Sequence, residues 1–245
     1  GYSEDFKDDV TRYLNRYITT IHDPFEIVSM FADIKKGKRH LVLALRTMLN
    51  FYEAMGANKE YLDCFRKALP KVTCGVDLKI PTEEQIVDSL RKLPKAPIKY
   101  QALYNLLLDS GLRLIEARYL INNFKGAEQV NGFYRCELAM FRGEKQAYYG
   151  HFSEYTLDLI KQAKGDFITE GCSHYYDVND YVMPKYLRKF AFDKMIDLEI
   201  PESVADFIEG RVPKRVGAKH YMALARQASK FYPRYQNYIK QLRLT

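Results

Sequence analysis

The chain has 245 residues, of which 47% are hydrophobic, and it carries a formal net charge of +7. This length is enough for one large domain or two domains of ordinary size. Its four cysteines form no CxxC pair, and no apolar run is long enough to cross a bilayer, so we expect no metal site, no membrane segment and a reduced, cytoplasmic protein.

The positive charge is concentrated near the C-terminus. Residues 210–245 contain nine Lys or Arg and no Asp or Glu, whereas residues 1–80 contain 13 Lys or Arg and 11 Asp or Glu. A one-sided basic block suits a polyanion such as nucleic acid. A basic tail that only keeps the protein soluble is the simpler alternative.

The first third of the chain has the apolar spacing of a helical domain. Four helices are predicted there, over residues 6–18, from Pro24, over 41–55 and over 60–69. Between the second and the third, the run at 35–39 predicts a basic turn. Lys36, Lys38 and Arg39 in this turn are candidate contacts to a phosphate backbone, although such runs are more often solvated loops.

Residues 69–81 contain Pro, Gly and β-branched residues without a helical period. We therefore predict a helical domain over residues 1–75, a linker over 76–81 and a second domain over 82–245. In the second domain, helices are predicted over 82–93, over 98–109, from about residue 112, after Ser153, after Pro184 and after Pro201.

One β-hairpin interrupts these helices. Residues 133–141 and 146–152 are rich in aromatic and β-prone side chains, and the sequence RGEK at 142–145 supplies the turn. The predicted fold class is therefore mainly α with a small antiparallel β-sheet.

Two pairs of charged residues in the second domain fall at helical spacing. Arg113 and Glu116 lie three residues apart in SGLRLIEARYL (110–120), where the ordinary interpretation is a surface ion pair. Lys185 and Arg188 share a face of the helix after Pro184, which indicates either a solvated basic stripe or an anion between them.

Three further residues are candidates on position alone. Lys145 lies at the tip of the hairpin, where a side chain can reach a ligand, and Arg211 follows the short helix after Pro201. Tyr221 follows a run of cations, and cations lower the free-energy cost of forming a phenolate. Because the chain has 20 tyrosines, a packing role is the default for any one of them.

Taken in order, these residues resemble the tyrosine recombinases, the superfamily of the phage integrases, Cre and the Xer proteins. SGLRLIEARYL is similar to the first arginine box, TGLRxxEL, and KYLRKF (185–190) to the second, HxLRHTFA. IEGRVPKRVGAKHY (208–221) resembles the LGH segment followed by the nucleophilic tyrosine. Lys185 replaces the usual histidine and Arg211 the usual histidine or tryptophan, which is most similar to integrases of archaeal viruses and plasmids, a class of mobile genetic elements.

The resemblance covers residues 82–245 and implies a catalytic domain there. For residues 1–75 it rests on position and helical content, which resemble the DNA-clamping core-binding domain of the superfamily. It implies that Tyr221 attacks the scissile phosphate, forming a 3′-phosphotyrosyl bond and releasing a 5′-hydroxyl. Arg113 and Arg188 would then clamp the phosphate, and Arg211 would donate a hydrogen bond to it.

The remaining roles implied by the resemblance concern protons and DNA. Lys145 would protonate the departing 5′-oxygen, and Lys185 would keep a cation in its box while being a poorer base than histidine at neutral pH. Glu116 would orient an arginine, and Lys214 and Arg215 would contact DNA. No cofactor is implied. The partners implied are double-stranded DNA and three further copies, with four protomers on two duplexes and the C-terminal tail packed on a neighbour.

Three alternatives to a recombinase remain at this stage. A type IB topoisomerase uses a similar set of residues, but the length of the chain and the residues of the two arginine boxes disfavour it. A non-catalytic DNA-binding accessory protein would not need a complete set of candidate residues. A helical protein-interaction module would leave the acid-free residues 210–245 without a function.

Overall fold

The computed structural model describes residues 4–18, 20–73, 75, 77–142, 145–213 and 223–245. The chain divides into two compact units, residues 1–77 and residues 78–245. Most of the described residues are helical, and one three-stranded antiparallel sheet lies in the second unit. The predicted fold class, mainly α with a small antiparallel sheet, is therefore confirmed.

The N-terminal unit consists of four helices. They are α1 (Glu4–Tyr17), α2 (Pro24–Asp33), α3 (Lys38–Ala54) and α4 (Lys59–Ala68). Asp23 accepts a hydrogen bond from the Phe25 N–H and so caps α2, while Asn58 caps α4 in the same way. Their apolar faces meet in a core that includes Ile27, Leu41 and Leu45, each at most 1% exposed.

The sequence predicted a single basic turn at 35–39, but in the structure this run is divided between a loop and the start of α3. Gly37 adopts φ +82° and forms the N-cap of α3, so Lys38 and Arg39 lie in the first helical turn. A side chain at Gly37 would approach the Tyr13 ring to 2.9 Å, which explains why the helix begins at a glycine. The side chains of Lys36, Lys38 and Arg39 are all exposed.

The C-terminal unit is built around α6. Its helices are α5 (Glu83–Lys92), a 3-10 turn (Leu93–Lys95), α6 (Ile98–Ser110), α7 (Leu114–Asn122), α8 (Glu154–Gln162), α9 (Cys172–Val178), α10 (Pro184–Asp197), α11 (Glu202–Ile208) and α12 (Leu224–Leu242). Residues 102–110 of α6 are all buried. A helix covered on every side occupies the centre of its domain, and α7, α8, α10 and the sheet surround it.

The sheet contains β1 (Glu128–Val130), β2 (Phe133–Arg142) and β3 (Lys145–Phe152) in that order. The predicted hairpin is β2–β3, with Arg142 in register with Lys145. A bulge between Glu137 and Met140 shifts the register. The sequence did not predict β1 or α9, because elements of three and seven residues are too short to show a period.

The last helix packs on its own unit. Tyr232, Tyr235 and Ile239 follow at spacings of three and four, and all are fully buried. The Tyr232 hydroxyl donates to the carbonyl of Asp109 at 3.1 Å, and the Tyr235 hydroxyl donates to that of Leu108 at 2.6 Å. The apolar face of this helix is therefore covered within its own unit, and the packing of the tail on a neighbour stays a prediction. Among the described helices, none has both the length and the apolarity to span a bilayer.

Candidate active site

Arg113 lies at the turn between α6 and α7. Gly111 ends α6 with φ +61° and lets the chain reverse, so that Arg113 becomes the N-cap of α7. The Arg113 N–H and its Nη1 donate to the two oxygens of Glu116, each at 3.0 Å. Glu116 is completely buried, so this pair is not the surface ion pair that such spacing usually gives. The two residues also do not share a helix face, because Arg113 precedes α7.

A second hydrogen bond joins Arg113 to the segment after α11. Its Nη1 donates to the carbonyl of Gly210 at 2.8 Å. Gly210 has φ +74°, and a Cβ placed on it would lie 2.8 Å from the Cβ of Ala147 in β3. Only glycine fits at this position, and it allows the segment after α11 to lie directly against the sheet.

The backbone of Arg211 connects this segment to Lys145. The two residues form an isolated antiparallel bridge, and the Arg211 N–H donates to the carbonyl of Asp206 at 2.8 Å. Lys145 is exposed as the first residue of β3, so its side chain is free to reach outward. The structure thus brings Lys145 and Arg211 side by side.

Arg188 on α10 reaches into the same place. Its side chain is 11% exposed, and Nη1 donates to the carbonyls of Gly111 and Glu209, both at 2.7 Å. Burial lowers the pKa of Arg188 to about 10, against the opposing effect of the Glu209 carboxylate, and this leaves the guanidinium charged at neutral pH. Arg188 therefore joins the turn after α6 to the end of α11.

Glu209 is the acid at the centre of these arginines. It is completely buried, and its Oε2 lies 2.9 Å from Arg211 Nη2 and 3.4 Å from Arg188 Nη2. Burial raises the pKa of Glu209 to about 7, although Arg188 and Arg211 act to lower it. Sequence reasoning missed this residue. Its signal was an acid directly after a helix, where the helix dipole disfavours negative charge.

Arg211 is held by two further groups. Its Nη1 lies 3.4 Å from the Asp206 carboxylate, and its guanidinium lies over the Phe192 ring at 4.8 Å. The side chain is still 37% exposed. Arg211 is therefore the most accessible of the three arginines, since the side chains of Arg113 and Arg188 are 23% and 11% exposed.

Lys185 shares α10 with Arg188 but differs from it in environment. It is exposed, and its Nζ lies 4.4 Å from the centre of the Tyr186 ring. Arg188, one turn later, is turned into the unit. The common face that the spacing predicted therefore has an exposed end at Lys185 and a buried end at Arg188.

Three predicted site residues, Tyr221, Lys214 and Arg215, lie outside the described residues, so their roles stay predictions. Lys36, Lys38 and Arg39 belong to the N-terminal unit, and their contact with DNA likewise stays a prediction.

A buried polar network supports the turn that carries Arg113. Asp109 Oδ2 accepts hydrogen bonds from the Ser153 N–H, from the Ser153 hydroxyl and from the Thr156 hydroxyl, at 2.7 to 2.9 Å. Its Oδ1 accepts from Arg243 Nη2 at 2.6 Å. Asp109 was not predicted as functional. It fixes the last turn of α6 to α8 and to the residue after α12.

Three guanidinium groups, those of Arg113, Arg188 and Arg211, thus meet around residues 209–211. Guanidinium groups offer paired donors to phosphate oxygens, and all three retain some exposure. This arrangement is suited to binding a tetrahedral anion. Within the described part of the chain, no group of His, Cys, Asp or Glu side chains has the arrangement of a metal site.

The comparisons with known proteins identify the family of the chain. The family model for archaeal phage integrases matches residues 78–238, which is well over half of the chain and includes both arginine boxes, Lys145, Arg211 and Tyr221. No curated protein matches the chain. The resemblance stated from the sequence is confirmed, and the chain belongs to the archaeal phage integrase family.

Proposed function

We propose that this protein is a site-specific DNA recombinase of the tyrosine type, which cleaves and rejoins DNA strands through a 3′-phosphotyrosyl intermediate. The main support is the convergence of Arg113, Arg188 and Arg211 on residues 209–211, with Lys145 paired to Arg211 through the backbone. These residues come from four separate parts of the sequence. A common anion explains why the fold brings them together.

In the proposed cleavage step, the phenolate oxygen of Tyr221 attacks the scissile phosphorus. A new bond forms between the tyrosine oxygen and phosphorus, and the bond from phosphorus to the 5′-oxygen breaks. Lys145 gives its proton to the departing oxygen, which leaves as a 5′-hydroxyl. Negative charge gathers on the non-bridging oxygens in the transition state, where the arginines stabilise it.

Rejoining reverses the same step with a different 5′-hydroxyl. The phosphotyrosyl bond retains the free energy of the broken phosphodiester, so no separate energy source is required. Lys185 lies exposed on the helix that carries Arg188, and we assign it a supporting contact to the phosphate. Glu116 holds Arg113 through both its backbone and its side chain, which suits an orienting role.

DNA binding would involve both units. The exposed Lys36, Lys38 and Arg39 in the N-terminal unit and the basic Lys214 and Arg215 are proposed phosphate contacts. Affinity that depends on phosphate contacts falls steeply with salt. We further propose that four protomers assemble on two duplexes in the cytoplasm of the host, as part of a mobile element of an archaeal virus or plasmid.

A covalent-adduct experiment tests this function. The protein is incubated with a library of duplexes nicked beside random sequences, so that the short 5′-hydroxyl fragment diffuses away and the adduct is trapped. Adducts that survive SDS are isolated, the DNA is sequenced to find the target site, and the DNA-linked peptide is identified by mass spectrometry. We expect the adduct on the peptide that contains Tyr221.

Two tyrosine variants complete the experiment. Tyr221→Phe should form no adduct, whereas Tyr119→Phe, which changes an exposed tyrosine on α7, should form it at the normal rate. An adduct on Tyr221→Phe would disprove the assignment of the nucleophile. An absence of adduct from every protein and every sequence would disprove the recombinase activity itself.

A further inference from the structure

Glu209 is a buried carboxylate inside a group of arginines that would need their charge for phosphate. It is completely buried, and a Cβ on Gly111 would lie only 2.6 Å from its Oε1, so the carboxylate is held tightly against the turn that precedes Arg113. A mechanism that uses the arginines alone gives this acid no role.

Among the described residues, five charged or titratable groups on neighbouring segments interact with Glu209. They are Arg188 on α10, Arg211 beyond α11, Asp206 within α11, Arg113 before α7 and Tyr235 on α12. Besides Glu209, the three cations have two acids nearby, Asp206 and Glu116, and Glu116 is already paired with Arg113. Without a bound anion, the carboxylate of Glu209 therefore serves as the counter-charge of the arginines.

The contacts of this carboxylate are ionic and are not aligned hydrogen bonds. Its Oε2 lies within 3.4 Å of Arg188 Nη2 and Arg211 Nη2, yet among the described residues neither of its oxygens has a partner in hydrogen-bond geometry. Such a group is held by charge more than by direction. With its pKa raised to about 7 by burial, it also exchanges its proton near neutral pH.

We propose that Glu209 is a positioning residue that holds Arg188 and Arg211 together in the empty site and takes up a proton when a phosphodiester enters. The part that concerns a phosphodiester rests on the proposed function. The reason is electrostatic. The anion replaces the carboxylate as the partner of the arginines, and a buried carboxylate that loses its partners is more stable in the neutral form.

A direct consequence is proton-linked binding. If one proton is taken up with each anion, the affinity for the anion falls by up to about tenfold per pH unit above the midpoint of the Glu209 titration in the free protein. Below that midpoint Glu209 is already neutral, and affinity no longer depends on its titration. Glutamine at position 209 resembles the protonated form and should remove this dependence.

The first measurement needs no DNA. Protein labelled with ¹³C at glutamate carboxyl carbons is titrated by NMR from pH 5 to 9, in sodium sulfate and in sodium chloride of equal ionic strength. Sulfate stays unprotonated in this range, so any proton taken up belongs to the protein. The Glu209 signal is identified by its loss in Glu209→Gln, with Glu209→Asp as a second variant should the first fail to fold.

We expect one glutamate to titrate near pH 7 and to shift upward by at least one pH unit in sulfate. Glu202→Gln, which alters an exposed acid on α11, should keep this signal. If the Glu209 signal titrates with the exposed glutamates, or does not move with sulfate, proton uptake is disproved. This result stands even if the protein cleaves no DNA, so it is distinguishable from a failure of the proposed function.

The second measurement tests positioning on the target duplex found by adduct sequencing. At pH 6.5 we expect Glu209→Ala to cleave at least tenfold more slowly than Glu209→Gln, which keeps the shape of the neutral acid. Between pH 7 and 8.5, the affinity of the unaltered protein for the duplex should fall while that of Glu209→Gln stays level. Equal cleavage by the alanine variant would disprove the positioning role.

Discussion

The Nη1 of Arg113 donates a 2.8 Å hydrogen bond to the carbonyl of Gly210, across 97 residues of sequence. This bond ties the first arginine box to the segment before the proposed nucleophile. Lysine would keep the backbone contact to Glu116, but its ammonium cannot hold Glu116 and Gly210 and also offer a phosphate the in-plane donors of the remaining guanidinium nitrogens. We therefore expect Arg113→Lys to reduce single-turnover DNA cleavage by about a hundredfold.

The matched control for this variant is Arg118→Lys. Arg118 lies on α7, the helix that Arg113 caps, and pairs with the exposed Glu170, so its replacement should leave cleavage within a factor of two. Cleavage rates measured with the trapped duplex compare the two directly. An Arg113→Lys protein as active as the Arg118 variant would exclude Arg113 from the phosphate site.

Lys145 is predicted to act as the acid for the leaving group. Replacing it with alanine should slow cleavage by about a hundredfold or more, because the 5′-oxygen then leaves without a proton. A duplex with sulfur in place of the 5′-oxygen has a leaving group that needs no protonation, and it should restore the rate. A variant that stays equally slow on both duplexes would assign Lys145 to DNA binding instead.

Gly210 is predicted to be a structural requirement of the site. Alanine at this position adds a Cβ that would lie 2.8 Å from the Cβ of Ala147, in a backbone with φ +74°. We expect a loss of about 2–4 kcal/mol in the free energy of unfolding, measured by urea denaturation.

Gly165→Ala separates the two causes. Gly165 also has a positive φ, of +90°, but no atom of the described residues lies within 4 Å of an added Cβ, so only the backbone cost of about 1 kcal/mol applies. The difference between the variants measures the steric clash. Equal losses would mean that the close approach to β3 is not needed.

We predict that the free energy of unfolding falls in acid because of His151. It is 1% exposed, and burial, with Arg135 adding to the effect, lowers its pKa to about 3. In the unfolded chain histidine titrates near pH 6.5. The stabilisation is therefore complete above about pH 6.5 and is lost as the pH falls towards 3, by about 1.4 kcal/mol per pH unit.

Between pH 7 and 5, this group alone should lower the free energy of unfolding by about 2 kcal/mol. His151→Phe keeps a ring beside Phe133 and Tyr232 and should remove that part of the pH dependence. His174→Phe, at an exposed position, should leave it in place. If both variants show the pH dependence of the unaltered protein, the burial of a neutral histidine is not its source.

The sequence predicted the elements of the fold better than their contacts. The apolar period located the long helices and the hairpin, because period depends on local geometry alone. The start of α3 was missed by three residues, since Gly37 caps that helix in a left-handed conformation that an apolar pattern does not reveal. The docking of α12 was also missed, because an amphipathic helix does not specify which surface covers it.

The candidate site was predicted in part. The order of Arg113, Arg188 and Arg211 indicated a common phosphate, and the three guanidinium groups do meet. Glu209 was not found because acids near helix ends are usually solvated, and its burial depends on the contacts of Gly111 and Gly210. Asp109 escaped notice for a similar reason, since its partners lie on α8 and beyond α12.

The contacts of Arg243 have a practical consequence for work with this protein. Arg243 donates a hydrogen bond to Asp109, which lies in the last turn of α6, the helix that leads into the turn of Arg113. A deletion that removes Arg243 would therefore remove a hydrogen bond that fixes the end of α6 before the turn of Arg113. An affinity tag placed after Thr245 would lie close to this hydrogen bond. Loss of activity in such proteins would report damage to this anchor.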